Sequence, residues 1–147
     1  MSRAAARDAQ PFGERFAWRM VGMFAGMALM LVAGTWLGGR GTPLAAVLIA
    51  LPLTYGFRWR VASDEARPGR ALEDERDAAI RARADVAFRR VASCWFGALA
   101  LGLSFDAGRA LLAPNGYAVP ALLLLGLVMA NIAGHATVAW LYRQDRA

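Results

Sequence analysis

Two polar side chains, Asn131 and His135, sit four residues apart inside the apolar run that closes this chain of 147 residues. On a helix that spacing puts both on one face, and polar groups at membrane depth are costly enough to count as functional candidates by default. Imidazole is the side chain whose charge changes nearest neutral pH, so the pair could sense protons or hold a ligand; the plainer reading is a histidine hydrogen-bonded to a neighbouring helix. Met20, Met23, Met27 and Met30 recur at spacings of three, four and three, with Cys94 and Met129 as further soft donors, a set that suits copper(I). Methionine stripes are commonly packing, and no CxxC, HxxxM or HxxxH motif fixes a geometry. A haem would have to take its second axial ligand from methionine or another chain. No metal and no cofactor is therefore expected. Asp106 and Arg109, three apart, read as a structural ion pair rather than a gate. Together Asn131, His135, Asp106 and Arg109 are the intramembrane polar set that a small oligomeric transporter or channel would use.

The elements that must carry these residues are apolar. Hydrophobic residues make up 58% of the chain and the mean hydropathy is +0.36, too high for an ordinary soluble domain. Four apolar runs cover residues 18–37, 43–59, 91–112 and 119–142. Crossing about 30 Å of hydrocarbon takes about 20 helical residues. Three runs reach that length, while the second is short and contains Pro52. The expected fold is all-α: one polytopic membrane domain over residues 1–147 with four transmembrane helices. A cytoplasmic loop and helix fill residues 60–90, and the third helix extends into the cytoplasm. A long charged segment precedes the first run and a second run follows closely, which favours a retained helix over a cleaved leader.

All seventeen Lys+Arg residues are arginine. Arg3, Arg7, Arg15 and Arg19 precede the first run, nine arginines lie from Arg58 to Arg90, and Arg143 and Arg146 follow the last; only Arg40 and Arg109 fall elsewhere. The positive-inside rule then places both termini and the central loop in the cytoplasm. Trp18, Tyr55, Trp59, Trp95, Trp140 and Tyr142 would form the inner aromatic belt, with Trp36 and Tyr117 at the outer edge. The net charge of +6 and the pI near 10.9 are accounted for by anionic headgroups, so direct nucleic-acid binding is not expected. A single cysteine excludes an intrachain disulfide. Abundant Arg, Ala and Gly without Lys suggest a GC-rich bacterial genome and a bacterial inner (cytoplasmic) membrane. Gly22 with Gly26 and Gly34 with Gly38 form GxxxG patterns, which signal close helix contact within the bundle or a homo-oligomer between protomers.

The middle of the chain differs from the rest. Glu73, Asp74, Glu75 and Asp77 crowd one turn after Pro68-Gly69, as acids do at a helix start. Asp77, Arg81, Asp85 and Arg89 then alternate in sign every fourth residue, beside an apolar row of Ile80, Ala84, Ala87 and Val91. Nothing breaks the pattern before Pro114, so one helix of about 40 residues, about 60 Å long, is expected. Counting inward from the cytoplasmic arginines sets His135 level with Met27, Ala50 and Ala98.

The stretch DERDAAIRARADVAF (74–88), followed by an apolar span and the closing LLLLGLVMANIAGHATVAWLYRQ (122–144), resembles an uncharacterised family of small bacterial four-span membrane proteins with an Asp-Glu-Arg-acid-x-x-Ile cytoplasmic motif. The resemblance covers roughly the second half of the chain. It implies the four-span fold and a gene neighbourhood of small helix-turn-helix regulators. The chain departs from the family pattern in ending Tyr142-Arg143-Gln144 without Arg-Arg-Gly, and in carrying Asn131 and His135 within the last span.

No hydrolase serine motif, phosphate-cradling glycine loop or catalytic carboxylate pair is present, so no enzyme is expected. The preferred function is a regulatory or interaction partner that binds a cytoplasmic regulator protein through Asp74, Glu75, Arg76, Asp77, Ile80 and Arg81. The transporter or channel is the alternative.

Overall fold

The computed structural model describes residues 12–37, 42–65 and 75–144. These form five α-helices: α1 (Phe12–Val32), α2 (Thr42–Glu65), α3 (Glu75–Ser104), α4 (Asp106–Leu112) and α5 (Ala118–Gln144). No strand occurs among the described residues. Three helices are long and apolar enough to cross a membrane, over Gly13–Trp36, Glu75–Ser104 and Ala118–Gln144, whereas the apolar part of α2 is only Leu44–Gly56. Large apolar side chains such as Leu29, Leu53, Leu101 and Leu111 point outward, which suits a bundle whose solvent is hydrocarbon.

Helix α5 is the centre of the arrangement, packed extensively against α1 on one side and α3 on the other, with α2 in lighter contact. Its sequence explains this double role. Gly126, Ala130 and Gly134 make a row of small side chains that lets a helix backbone come close, and the helix admitted is α3. Roughly half a turn round, Val128 and His135 face α1, where Val128 joins Met20, Phe24, Met27, Leu31, Val47 and Leu51 in a buried cluster. Both α1 and α3 run antiparallel to α5. Gly13 lies against Tyr142 and Phe24 against His135, while Asp77 meets Tyr142 and Trp95 meets Leu122. The starts of α1 and α3 and the end of α5 therefore share one end of the bundle.

Pro52 lies inside α2, which is helical on both sides of it. The expected helix of about 40 residues does break, at Phe105, whose extended backbone (φ −100°, ψ 142°) separates α3 from α4. Ser104 donates its hydroxyl to the Ala100 carbonyl at 2.8 Å, a back-bond that bends helices, and Asp106 then supplies the acid of a new first turn. The turn is tight: a Cβ on Gly108 would lie 2.0 Å from the Gly102 carbonyl oxygen. At the end of α1, Ala33–Leu37 is π-helical. There Thr35 is buried with its hydroxyl unpartnered among the described residues, and its carbonyl accepts a hydrogen bond from the Asn115 amide at 2.8 Å.

Candidate functional site

The charged segment is seated on α5 rather than standing clear of it. Each contact falls in one register. As residue numbers on α3 rise from Asp77 through Ala84 and Phe88 to Trp95, their partners on α5 fall from Tyr142 through Gly134 to Gly126 and Leu122. Gly134 lies 3.5 Å, by its would-be Cβ, from the Ala84 carbonyl and the Phe88 Cβ. A Cβ on Gly126 would sit 2.2 Å from Trp95 Cδ1, so the indole occupies the space that glycine leaves. The Trp95 ring N–H donates to the Leu122 carbonyl at 2.9 Å, satisfying a donor that would be costly to bury unpaired.

This register moves several residues from where counting along the sequence puts them. His135 is level with Phe24 on α1 and with the Ala84–Phe88 turn of α3, not with Met27 and Ala98. Trp95 belongs to the middle of the α3–α5 contact, not to the inner aromatic belt. Tyr55 likewise leaves the belt: its hydroxyl donates to Asn131 Oδ1 at 3.3 Å. Trp18 and Trp140 are outward-facing at the Tyr142 end, and Trp36 and Tyr117 at the other.

Of the residues expected to bind a partner, Asp74 lies outside the described residues. Glu75, Arg76 and Arg81 are exposed. Ile80 is only 5% exposed, as is its neighbour in the same row, Ala84, at 7%. Because Ile80 and Ala84 face α5, that part of the row is consumed inside the chain. Asp77 accepts a hydrogen bond from the Tyr142 hydroxyl at 2.6 Å, and the Tyr142 ring also covers Gly13, which has 3.0 Å of room for a Cβ. One tyrosine thus touches the starts of α1 and α3 at the end of α5. Next to Gly13, Glu14 is 1% exposed. Glu14 does not stand out in the sequence, and Tyr142 reads there only as part of the inner aromatic belt, since neither residue type signals a contact between helices that far apart in the chain. The remaining exposed ridge of α3 is Arg81, Asp85 and Arg89, with the Arg89 Nε–H donating to the Asp85 carbonyl at 3.3 Å.

The intramembrane polar set divides in two. Asn131 and His135 are both buried, 4% and 8% exposed, on the α1–α2 side of α5. The Asn131 amide donates to the Leu127 carbonyl at 2.8 Å, and the His135 ring stacks on Phe24 with centroids 5.8 Å apart. Asp106 and Arg109 pair with each other at 2.6 Å, exposed at 98% and 61%, just past the end of α3. By the register of the two helices that is roughly 25 Å from Asn131 along the axis at 1.5 Å per residue. The four residues therefore do not line a common path.

The soft donors also diverge. Met20 and Met27 are buried, Met23 and Met30 are half-exposed, and Cys94 and Met129 face outward. No group of three or more His, Cys, Asp or Glu able to hold a metal occurs among the described residues. Gly22 and Gly26 are exposed with open space around them, so their GxxxG pattern is not used inside the bundle; Gly38 of the second pattern lies outside the described residues. No family model matches the chain, and no match occurs among curated proteins or solved structures.

Proposed function

We propose that the chain is a non-catalytic protein of the bacterial inner membrane whose α3 binds a cytoplasmic regulator protein through its outer ridge. In this reading it crosses the bilayer four times, with α2 crossing through its short apolar stretch, and both termini and residues 66–74 lie in the cytoplasm. The first turns of α3, from Glu75 to about Asp85, then serve the cytoplasmic face, seated on the last turns of α5. The positive-inside rule supports that orientation, because Arg15, Arg19, Arg76, Arg81, Arg83 and Arg143 gather toward the end marked by Tyr142.

One observation carries the functional reading. Ile80 and Ala84 of α3 are committed to α5 while Arg81 and Asp85 stay exposed with opposite charge, joined at the helix start by Glu75 and Arg76. A connector needs helicity and solubility, and such a ridge adds a pattern that a complementary surface can read. The resemblance of residues 74–88 to the four-span family points to a small helix-turn-helix regulator as that partner.

The test exchanges the charges, Arg81→Glu with Asp85→Arg. Exposed pairs contribute a few tenths of a kcal/mol, so the exchanged protein keeps its fold and its elution in detergent. Charges mismatched across an interface cost several kcal/mol, so recovery of the regulator in pull-downs falls at least tenfold. Equal recovery from both proteins would make α3 a connector.

A further inference from the structure

Beside the ridge, a groove of about 480 Å³ runs between α3 and α5, lined by Ala82, Arg83, Val86, Ala87, Arg90 and Thr137. Its floor is small and apolar, and its two charged residues are both arginines, seven residues and so about 10 Å apart along α3. Among the described residues, no acid lines it. Asp77 is held by Tyr142, Asp85 lies on the opposite flank of the helix, and Glu75 is about 12 Å nearer the helix start. The register places Arg83 beside Thr137 and Arg90 level with Met129, roughly 20 Å along the axis from Tyr142. At that level α1 presents Leu29 and Met30 outward. A guanidinium on a lipid-facing flank is costly without a counter-charge, and the lining of the groove supplies none.

We infer that this groove binds an anionic phospholipid, its phosphate held by Arg83 and Arg90 over the small apolar floor of Ala82, Val86 and Ala87. Paired arginines match phosphate oxygens in charge and in hydrogen-bond geometry, and basic pockets between membrane helices suit such headgroups. The Thr137 hydroxyl, which donates to the Ala133 carbonyl at 2.8 Å, keeps lone pairs for a headgroup hydroxyl. The inference rests on the embedding of the bundle in a membrane and not on a protein partner.

The experiment is native mass spectrometry of the full chain in detergent, titrated in turn with phosphatidylglycerol, phosphatidylcholine and inorganic phosphate. Wild-type protein is expected to retain phosphatidylglycerol at least tenfold better than phosphatidylcholine. The double variant Arg83→Gln/Arg90→Gln loses that preference, while Arg89→Gln, which removes one charge from another face, keeps it. Val86→Trp fills the groove without changing charge and is expected to abolish retention as well, which separates binding at the site from loss of fold in the double variant. Undiminished retention by the double variant, or displacement of the lipid by millimolar phosphate, would overturn the proposal. So would equal retention of the two lipids by the wild-type protein, the result expected of arginines that only reach back to the interface. Release of the wild-type protein from membranes by carbonate would instead overturn the embedding, independently of the groove.

Discussion

At the scale of single residues, the contact between Gly126 and Trp95 sets how α3 lies on α5. The indole fills the place of a side chain at 126 and ties itself to the Leu122 carbonyl, so the contact is steric and directional at once. Gly126→Ala forces a methyl to within 2.2 Å of the ring, and the ring must leave. Overpacking of this kind costs about 1–3 kcal/mol, expected as a lower midpoint of thermal unfolding in detergent. The diagnostic is a double-mutant cycle with Trp95→Ala. Once the indole is gone the alanine at 126 meets open space, so the two effects fail to add by about 0.5 kcal/mol or more. Strict additivity would mean that the two residues do not touch. By contrast, Gly134 has 3.5 Å to its neighbours, ordinary contact distance. The two glycines look alike in sequence and differ in consequence.

At the scale of elements, the break at Phe105 changes what the third apolar run is. A continuous helix would carry residues 105–112 on in line with α3. Instead α4 is packed back against its end, with Gly108 set close to the Gly102 carbonyl. Gly108→Ala cannot be absorbed by a side-chain rotation, because the atom that its Cβ meets is backbone. The substitution is expected to swing α4 away from α3. Spin labels at Ser93 and Leu111, both exposed, in a Cys94→Ser background, would report a longer distance by pulsed electron resonance. An unchanged distance distribution would show that the turn does not depend on the glycine. Asp106 and Arg109 belong to this small helix, which is why they form a local pair at the surface rather than part of a route past Asn131 and His135.

At the scale of the whole molecule, the antiparallel packing of α1 and α3 against α5 requires the starts of two helices and the end of the third to share one side. The four-span proposal adds that this side is cytoplasmic. Fusions after Gly41, Gly69, Gly116 and Ala147 test it. A fluorescent protein is expected to mature after Gly69 and Ala147, and alkaline phosphatase to be active after Gly41 and Gly116. Phosphatase activity after Gly69 or Ala147 would reverse the topology. Much of this scale was legible without coordinates. Runs of apolar residues near the spanning length dictate helices, because backbone groups in hydrocarbon must bond within their own segment, and most arginines fall toward the end that the four-span proposal makes cytoplasmic. The ion pair of Asp106 with Arg109 followed from spacing alone. What only the tertiary structure decided is which neighbour each face meets and at what level. Periodicity says that Ile80 and Ala84 share a face, and that Gly22 and Gly26 do. It does not say that the first pair is buried on α5 while the second is left open. That choice, like the level of His135 and the capture of Asp77 by Tyr142, depends on steric fit between residues tens of positions apart, such as Trp95 against Gly126, which no local pattern encodes.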